Sequence, residues 1–127
     1  MKKVLGIISD EIIKKWDIQS HKDKKIVIYD SAIIHAKTRH LHQYKRKKDY
    51  YYTVRMLSII IRKPDYVFYD KNKKGLEYYK RLNEYILVAV RVDDGKELKV
   101  KSFYPVKESK INNRKKKETI KSIKMKI

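Results

Sequence analysis

Apolar and polar positions change their rhythm near the middle of the chain. Before Pro64 the spacing is mostly helical, and after it the spacing is mostly two. Val4 to Ile8 is a short apolar run. Ser9 reads as an N-cap, with Glu11 in the first turn and Ile12, Ile13 and Trp16 spaced as one helix face. Residues 17–24 are polar and read as a loop, and Ile26 to Ile28 is a brief strand-like run. Asp30 or Ser31 is expected to cap a helix over about residues 31–43. Tyr50 to Lys63 predicts a stronger helix, with Val54, Leu57, Ile60 and Ile61 as its apolar stripe. Pro64 ends it.

Beyond Pro64, four strands are expected: Tyr66–Tyr69, Leu76–Arg81, Tyr85–Val92 and Glu97–Tyr104. Lys71 to Gly75 is a turn between the first two, and Asp94-Gly95 is the strongest hairpin signal in the chain. In the third strand Ile86, Val88, Val90 and Val92 face one way. In the fourth, strict alternation places Leu98, Val100, Ser102 and Tyr104 on one face, and Lys99, Lys101 and Phe103 on the other. Pro105 is expected to stop the ladder. The layout is α+β: N-terminal helices packed on a four-stranded antiparallel sheet, followed by a basic C-terminal tail or helix. Residues 1–113 read as one domain and 114–127 as the tail.

Charge narrows the function. The chain has 127 residues, with 34 Lys plus Arg against 15 Asp plus Glu, a net charge of +19. Residues 107–127 carry 9 basic and 2 acidic side chains, so the remainder is still +12. The folded body is therefore basic, as a partner of a polyanion would be, and nucleic acid is the usual polyanion. The chain has no cysteine, so thiol chemistry, disulfides and sulfur-ligated zinc are excluded. No apolar run approaches a membrane span. The expectation is a soluble cytoplasmic protein with no cofactor.

Three of the four histidines fall between Tyr29 and Tyr44. Histidine exchanges protons near neutral pH, which suits acid–base catalysis. His35, Arg39 and His42 share a helix face, whereas His40 lies about 140° from His35 on an ideal helix. No carboxylate or third histidine stands at metal-ligand spacing beside them. Ser102 and Tyr104, at a strand end, are suited to bond phosphate oxygens. Lys80 and Arg91 are candidates for neutralising charge on phosphorus. Arg39, Arg91, Lys99, Lys101 and Arg114 are the candidate RNA contacts. Eleven tyrosines among many lysines, with clusters at Tyr50 to Tyr52 and Tyr78-Tyr79, suit base stacking between phosphate contacts. Glycines are ungrouped and acids scattered, so neither a phosphate loop nor a metal-nuclease carboxylate set is seen. A metal-independent route through a ribose 2′-hydroxyl then implies RNA.

The order of LGIISDEIIKKW, IVIYDSAIIHAKTRH, RKPDYVF, LEYYKRLNEYILVAVRV and KVKSFYPV resembles the phage-associated barnase–EndoU–colicin–RelE-like (PBECR) nuclease domains over about residues 4–115. The resemblance implies helices on a four-stranded antiparallel sheet and a metal-independent endoribonuclease of phage, mobile-element or toxin type. It marks His35, His40, Lys80, Ser102 and Tyr104 as active positions. His40 would be the general base or acid and His35 its partner. The implied partners are RNA, such as tRNA or mRNA, and an acidic antitoxin or immunity protein. The alternatives are a non-catalytic nucleic-acid-binding module and a basic adaptor for an acidic protein.

Overall fold

The first apolar run is a strand. β1 (Lys2–Ile7) pairs antiparallel with β2 (Lys25–Tyr29), and α1 (Asp10–Trp16) lies between them in the chain. Ser9 caps α1 as expected: its Oγ accepts the Ile12 N–H at 3.3 Å. In this computed structural model residues 1–117 and 122–124 are described, the last three by backbone alone. α2 (Asp30–His40) follows β2 without a loop and gives way to a 3-10 turn over Leu41–Gln43, so the regular helix stops earlier than residue 43. Neither Asp30 nor Ser31 caps it. The N-cap is Tyr29, with no side-chain cap bond, and the Asp30 carboxylate instead accepts from the Met1 amino group at 3.2 Å.

α3 (Lys47–Arg62) begins a turn earlier than the apolar stripe suggests. Arg46 and Asn83 both donate to the buried Asp49 carboxylate, which ties the start of α3 to the connection between the fourth and fifth strands. Then come β3 (Tyr66–Asp70), β4 (Gly75–Arg81), β5 (Tyr85–Arg91) and β6 (Leu98–Val106), α4 (Glu108–Lys116) and a three-residue β7 (Ser122–Lys124). The Asp94-Gly95 signal marks a real antiparallel connection, but a longer one. The chain is out of the ladder from Val92 to Glu97, and the Gly95 N–H donates to Asp93 Oδ1 at 3.1 Å.

The expected four-stranded antiparallel sheet is too small. The order is β1-β2-β6-β5-β4-β3-β7, a six-stranded mixed sheet extended at one edge by β7. Every pairing is antiparallel except β2 with β6, where Ile26 stands opposite Leu98 and Val27 opposite Lys99. That parallel contact joins segments some seventy residues apart in sequence, which local periodicity cannot register. Pro105 does not end the ladder either: it pairs with Ile86, and Val106 pairs with Tyr85. β2 covers β6 only at Leu98 and Lys99, so further along one side of β6 has no partner strand and tolerates a proline.

Each face of the sheet carries a core. The larger joins Ile12, Ile26, Ile28, Tyr50, Leu57, Ile60, Val67, Tyr78, Val88 and Phe103 beneath the N-terminal helices. The smaller is Phe68, Tyr79 and Leu87 under Ile111 of α4. The expectation of a basic tail or helix over 114–127 meets α4 as far as Lys116, and the parts of it at 118–121 and 125–127 lie outside the described residues.

One irregularity decides which face each side chain of β6 meets. Ala89 pairs with Ser102 and Val90 with Val100, so Lys101 is a bulge residue opposite no partner. An inserted residue reverses the alternation beyond it. Leu98, Val100 and Phe103 therefore share the larger core, while Tyr104 and Val106 pack against the smaller one. The expectation that Ser102 and Tyr104 share a face with Leu98 and Val100 is thereby overturned.

Candidate active site

The reversal after Lys101 brings Ser102 and Tyr104 to the α4 face, beside Ala89, Leu87, Glu77 and Tyr79 in adjoining registers of β5 and β4. α4 covers one part of this face with Ile111. Next to it a hollow of about 250 Å³ stays open, bordered by Glu77, Arg91, Lys101, Ser102 and Tyr104, with Lys73 and Lys74 at the rim. Ser102 Oγ is buried and has no hydrogen-bond partner among the described residues. A buried hydroxyl without a partner is uncommon and suits a group supplied from outside.

Glu77 organises one wall. Arg114 Nε donates to its Oε1 at 2.9 Å and Arg114 Nη2 to its Oε2 at 3.1 Å, and the Tyr79 hydroxyl donates to Oε1 at 2.9 Å. The fork-to-fork geometry fixes the guanidinium plane. These bonds to Glu77 raise the Arg114 pKa above its ordinary value. Burial, followed by the Glu77 charge, raises that of Tyr79. Burial raises the Tyr104 phenol as well, with Glu77 adding to it and Arg114 opposing. Lys110 of α4 approaches the Tyr104 ring, its Nζ 5.8 Å from the centroid.

The histidine comes from the other side of the sheet. Past Lys99, α2 lies along β6 where β2 no longer does. Its final residue, His40, stacks on Tyr104 with ring centroids 4.6 Å apart and planes 29° apart. His40 Nδ1 is 3.1 Å from Gln43 Oε1, a pairing that suits a proton on Nδ1 and leaves Nε2 to accept. Burial holds the His40 pKa below 6.5, and the positive fields of His35, Arg39 and His42 add to this against the Gln43 bond. The ring is therefore neutral at pH 7.

The sequence candidates divide accordingly. His40, Ser102, Tyr104, Arg91, Lys101 and Arg114 gather at or beside the hollow. Lys99 stands opposite Arg91 in register, its Nζ 5.7 Å from the Tyr29 ring centroid. His35 and Arg39 are exposed on α2. Lys80 falls on the opposite face: its Nζ donates to the Lys63 carbonyl at 2.7 Å and lies 3.8 Å from Asp65. Glu77 and Gln43 were not singled out from the sequence. Glu77 did carry a signal, as a single carboxylate between Leu76 and Tyr78 in an apolar strand, where a buried acid needs a partner. Gln43 carried none, because its role depends on how the chain turns after α2.

Among the described residues no helix is long and apolar enough to cross a membrane, and no three His, Asp or Glu side chains converge as metal ligands. No curated protein and no solved structure matches the chain. A family model does match, over residues 2–113, nearly the whole length and every element that builds the hollow except the last turn of α4. The chain belongs to the family described as phage-Barnase-EndoU-ColicinE5/D-RelE like nuclease3, a family of nuclease-like domains.

Proposed function

We propose that this protein is an endoribonuclease that cuts RNA without a metal, using the hollow beside Tyr104. The observation that carries the reading is the His40–Tyr104 stack at 4.6 Å beside a basic hollow containing an unpartnered Ser102 hydroxyl. A neutral imidazole is a base ready at cellular pH. Arg91 and Lys101 supply positive charge where negative charge builds on phosphorus, and Arg114 adds to that field from behind Glu77.

In this reading His40 Nε2 takes the proton of the ribose 2′-hydroxyl. The 2′-oxygen forms a bond to phosphorus as the bond to the 5′-oxygen breaks. Tyr104 gives its phenolic proton to the departing 5′-oxygen; the His40 imidazolium then releases its proton to solvent as the Tyr104 phenolate takes one up. Ser102 Oγ donates to a non-bridging phosphate oxygen, which satisfies its missing bond. The products are a 2′,3′-cyclic phosphate and a 5′-hydroxyl. Lys80, engaged on the other face, makes no phosphate contact in this scheme, and His35 acts only through the field it exerts on His40.

The test uses purified protein and end-labelled RNA with chelator present. Cleavage leaving cyclic ends, reduced about 10²- to 10⁴-fold in His40→Ala with folding intact, is the expected result. Cleavage abolished by chelator, or unchanged in His40→Ala, overturns it.

A further inference from the structure

The clustered tyrosines divide by exposure. Tyr50, Tyr78 and Tyr79 are core side chains, at most 2% exposed, so they are unavailable for stacking with a ligand. Tyr51 and Tyr52 on α3 are 50% and 41% exposed and sit outside the hollow described above. Neighbouring residues on a helix point about 100° apart, so these rings look in different directions.

Each ring has its own cation. Lys37 Nζ of α2 is 5.3 Å from the Tyr51 centroid, and the Arg55 guanidinium is 5.9 Å from that of Tyr52. The Tyr51 ring is also held. Tyr51 packs edge-on against buried Tyr50 at 5.1 Å, and the Tyr50 hydroxyl donates to the Ile33 carbonyl at 3.0 Å, binding α3 to α2. Shallow clefts flank the pair, one bordered by Lys37, His42, Lys45 and Lys47, the other by Arg46, Lys48, Tyr52 and Arg55. The acid bordering these clefts is Asp49, and Arg46 and Asn83 occupy it. Leu41 and His42 continue directly from His40, so the first cleft adjoins the Tyr104 stack.

We infer that this face of α2 and α3 is a track for single-stranded RNA, holding nucleotides that flank the bond cut at the hollow. The inference rests on the ribonuclease reading for the position of the cut, and on its own observations for the track. Exposed rings alternating with cations bind a strand whose bases stack while its phosphates are neutralised. A protein partner would instead be expected to favour a contiguous apolar centre, and here each of the two exposed rings has a lysine or arginine over it.

The test is fluorescence anisotropy with a 2′-O-methyl RNA of about 12 nucleotides, a length that one such site can cover. Its methylated 2′-oxygen prevents cleavage, so binding is read alone. Tyr51→Ala/Tyr52→Ala is expected to weaken binding about tenfold or more with the salt slope kept. Lys37→Ala/Arg55→Ala is expected to flatten the plot of log K against log salt by about 1.4, or 0.7 for each lost phosphate contact. Both doubles should cleave a dinucleotide at the parent rate. Unchanged binding in both doubles overturns the track. So does an equal loss of poly-glutamate binding in the tyrosine double, which assigns the face to an acidic protein. Weakened binding with no cleavage of any RNA by the parent keeps the track and removes the ribonuclease reading. Dinucleotide cleavage with no binding of the methylated strand does the reverse.

Discussion

Deletion of Lys101 tests the claim that a single inserted residue aims the site. Without Lys101, Val100 and Ser102 become neighbours opposite Val90 and Ala89, so plain alternation keeps Leu98, Val100 and Phe103 inward and Ser102 and Tyr104 on the α4 face. Deleting Lys101 and Ser102 together instead makes Val100 and Phe103 neighbours, and the two halves of the strand can no longer both keep their faces. If the first half holds, Phe103 leaves the larger core, where it is 0% exposed, and Tyr104 turns into it. Losing a buried Phe costs about 3–5 kcal/mol, and a hydroxyl buried without a partner costs about 1–3 kcal/mol more. If the second half holds, Leu98 and Val100, 0% and 4% exposed, turn outward. That costs about 1.5–3 kcal/mol for each side chain. Either route removes at least about 3 kcal/mol from a stability that for a domain is about 5–15 kcal/mol. The assay is equilibrium unfolding in urea of both deletions beside Lys101→Ala, which keeps the bulge and removes only the amine. Lys101→Ala and the single deletion should stay within about 1 kcal/mol of the parent. A single deletion as unstable as the double, or a double deletion as stable as the single, refutes the reasoning.

Lys80→Ala is expected to lose about 1.5–3 kcal/mol of stability, because its ammonium bonds the carbonyl of Lys63 at the end of α3, and to keep its turnover. Urea unfolding beside a cleavage assay separates this from a catalytic role, in which turnover falls and stability does not. Glu77→Gln removes the charge that fixes Arg114. Stability should fall by about 2 kcal/mol, cleavage should drop, and uncleavable RNA should bind more tightly as a negative charge leaves the hollow. Weaker RNA binding in this variant counts against the placement of substrate there. Acid should destabilise the protein through His21 and His40. Burial lowers both pKa values below the 6.5 of the unfolded chain, so their contribution is complete above that pH and is lost as pH falls through the folded values. Urea midpoints measured downward from about pH 7.5 should decline, less so in His40→Ala. The pH profile of kcat/KM should likewise fall in acid with its midpoint below pH 6.5 if neutral His40 is the base.

Local chemistry was readable where one element settles the question alone. Ser9 caps α1, Pro64 ends α3, and period-two runs form β3, β4, β5 and β6 near the expected boundaries. A basic chain with imidazoles early and hydroxyls late suggests a composite site, and the structure sets His40 on Tyr104 with Ser102 two residues away, while His35 stays exposed on α2. Lys80 was misleading. A lysine interrupting an apolar strand looks available for phosphate, yet its reach to the α3 carbonyl depends on a packing that spacing does not encode.

What the sequence determined by itself is an α+β chain with a basic body, since composition and periodicity are properties of residues and their near neighbours. Only the tertiary structure decided that β1 and β2 join the sheet through a parallel contact with β6, that Lys101 turns Ser102 and Tyr104 to the α4 face, and that His40 meets Tyr104 past the end of β2. These depend on pairings between distant segments. A one-residue shift in such a pairing exchanges the two faces of a strand while leaving its local pattern intact.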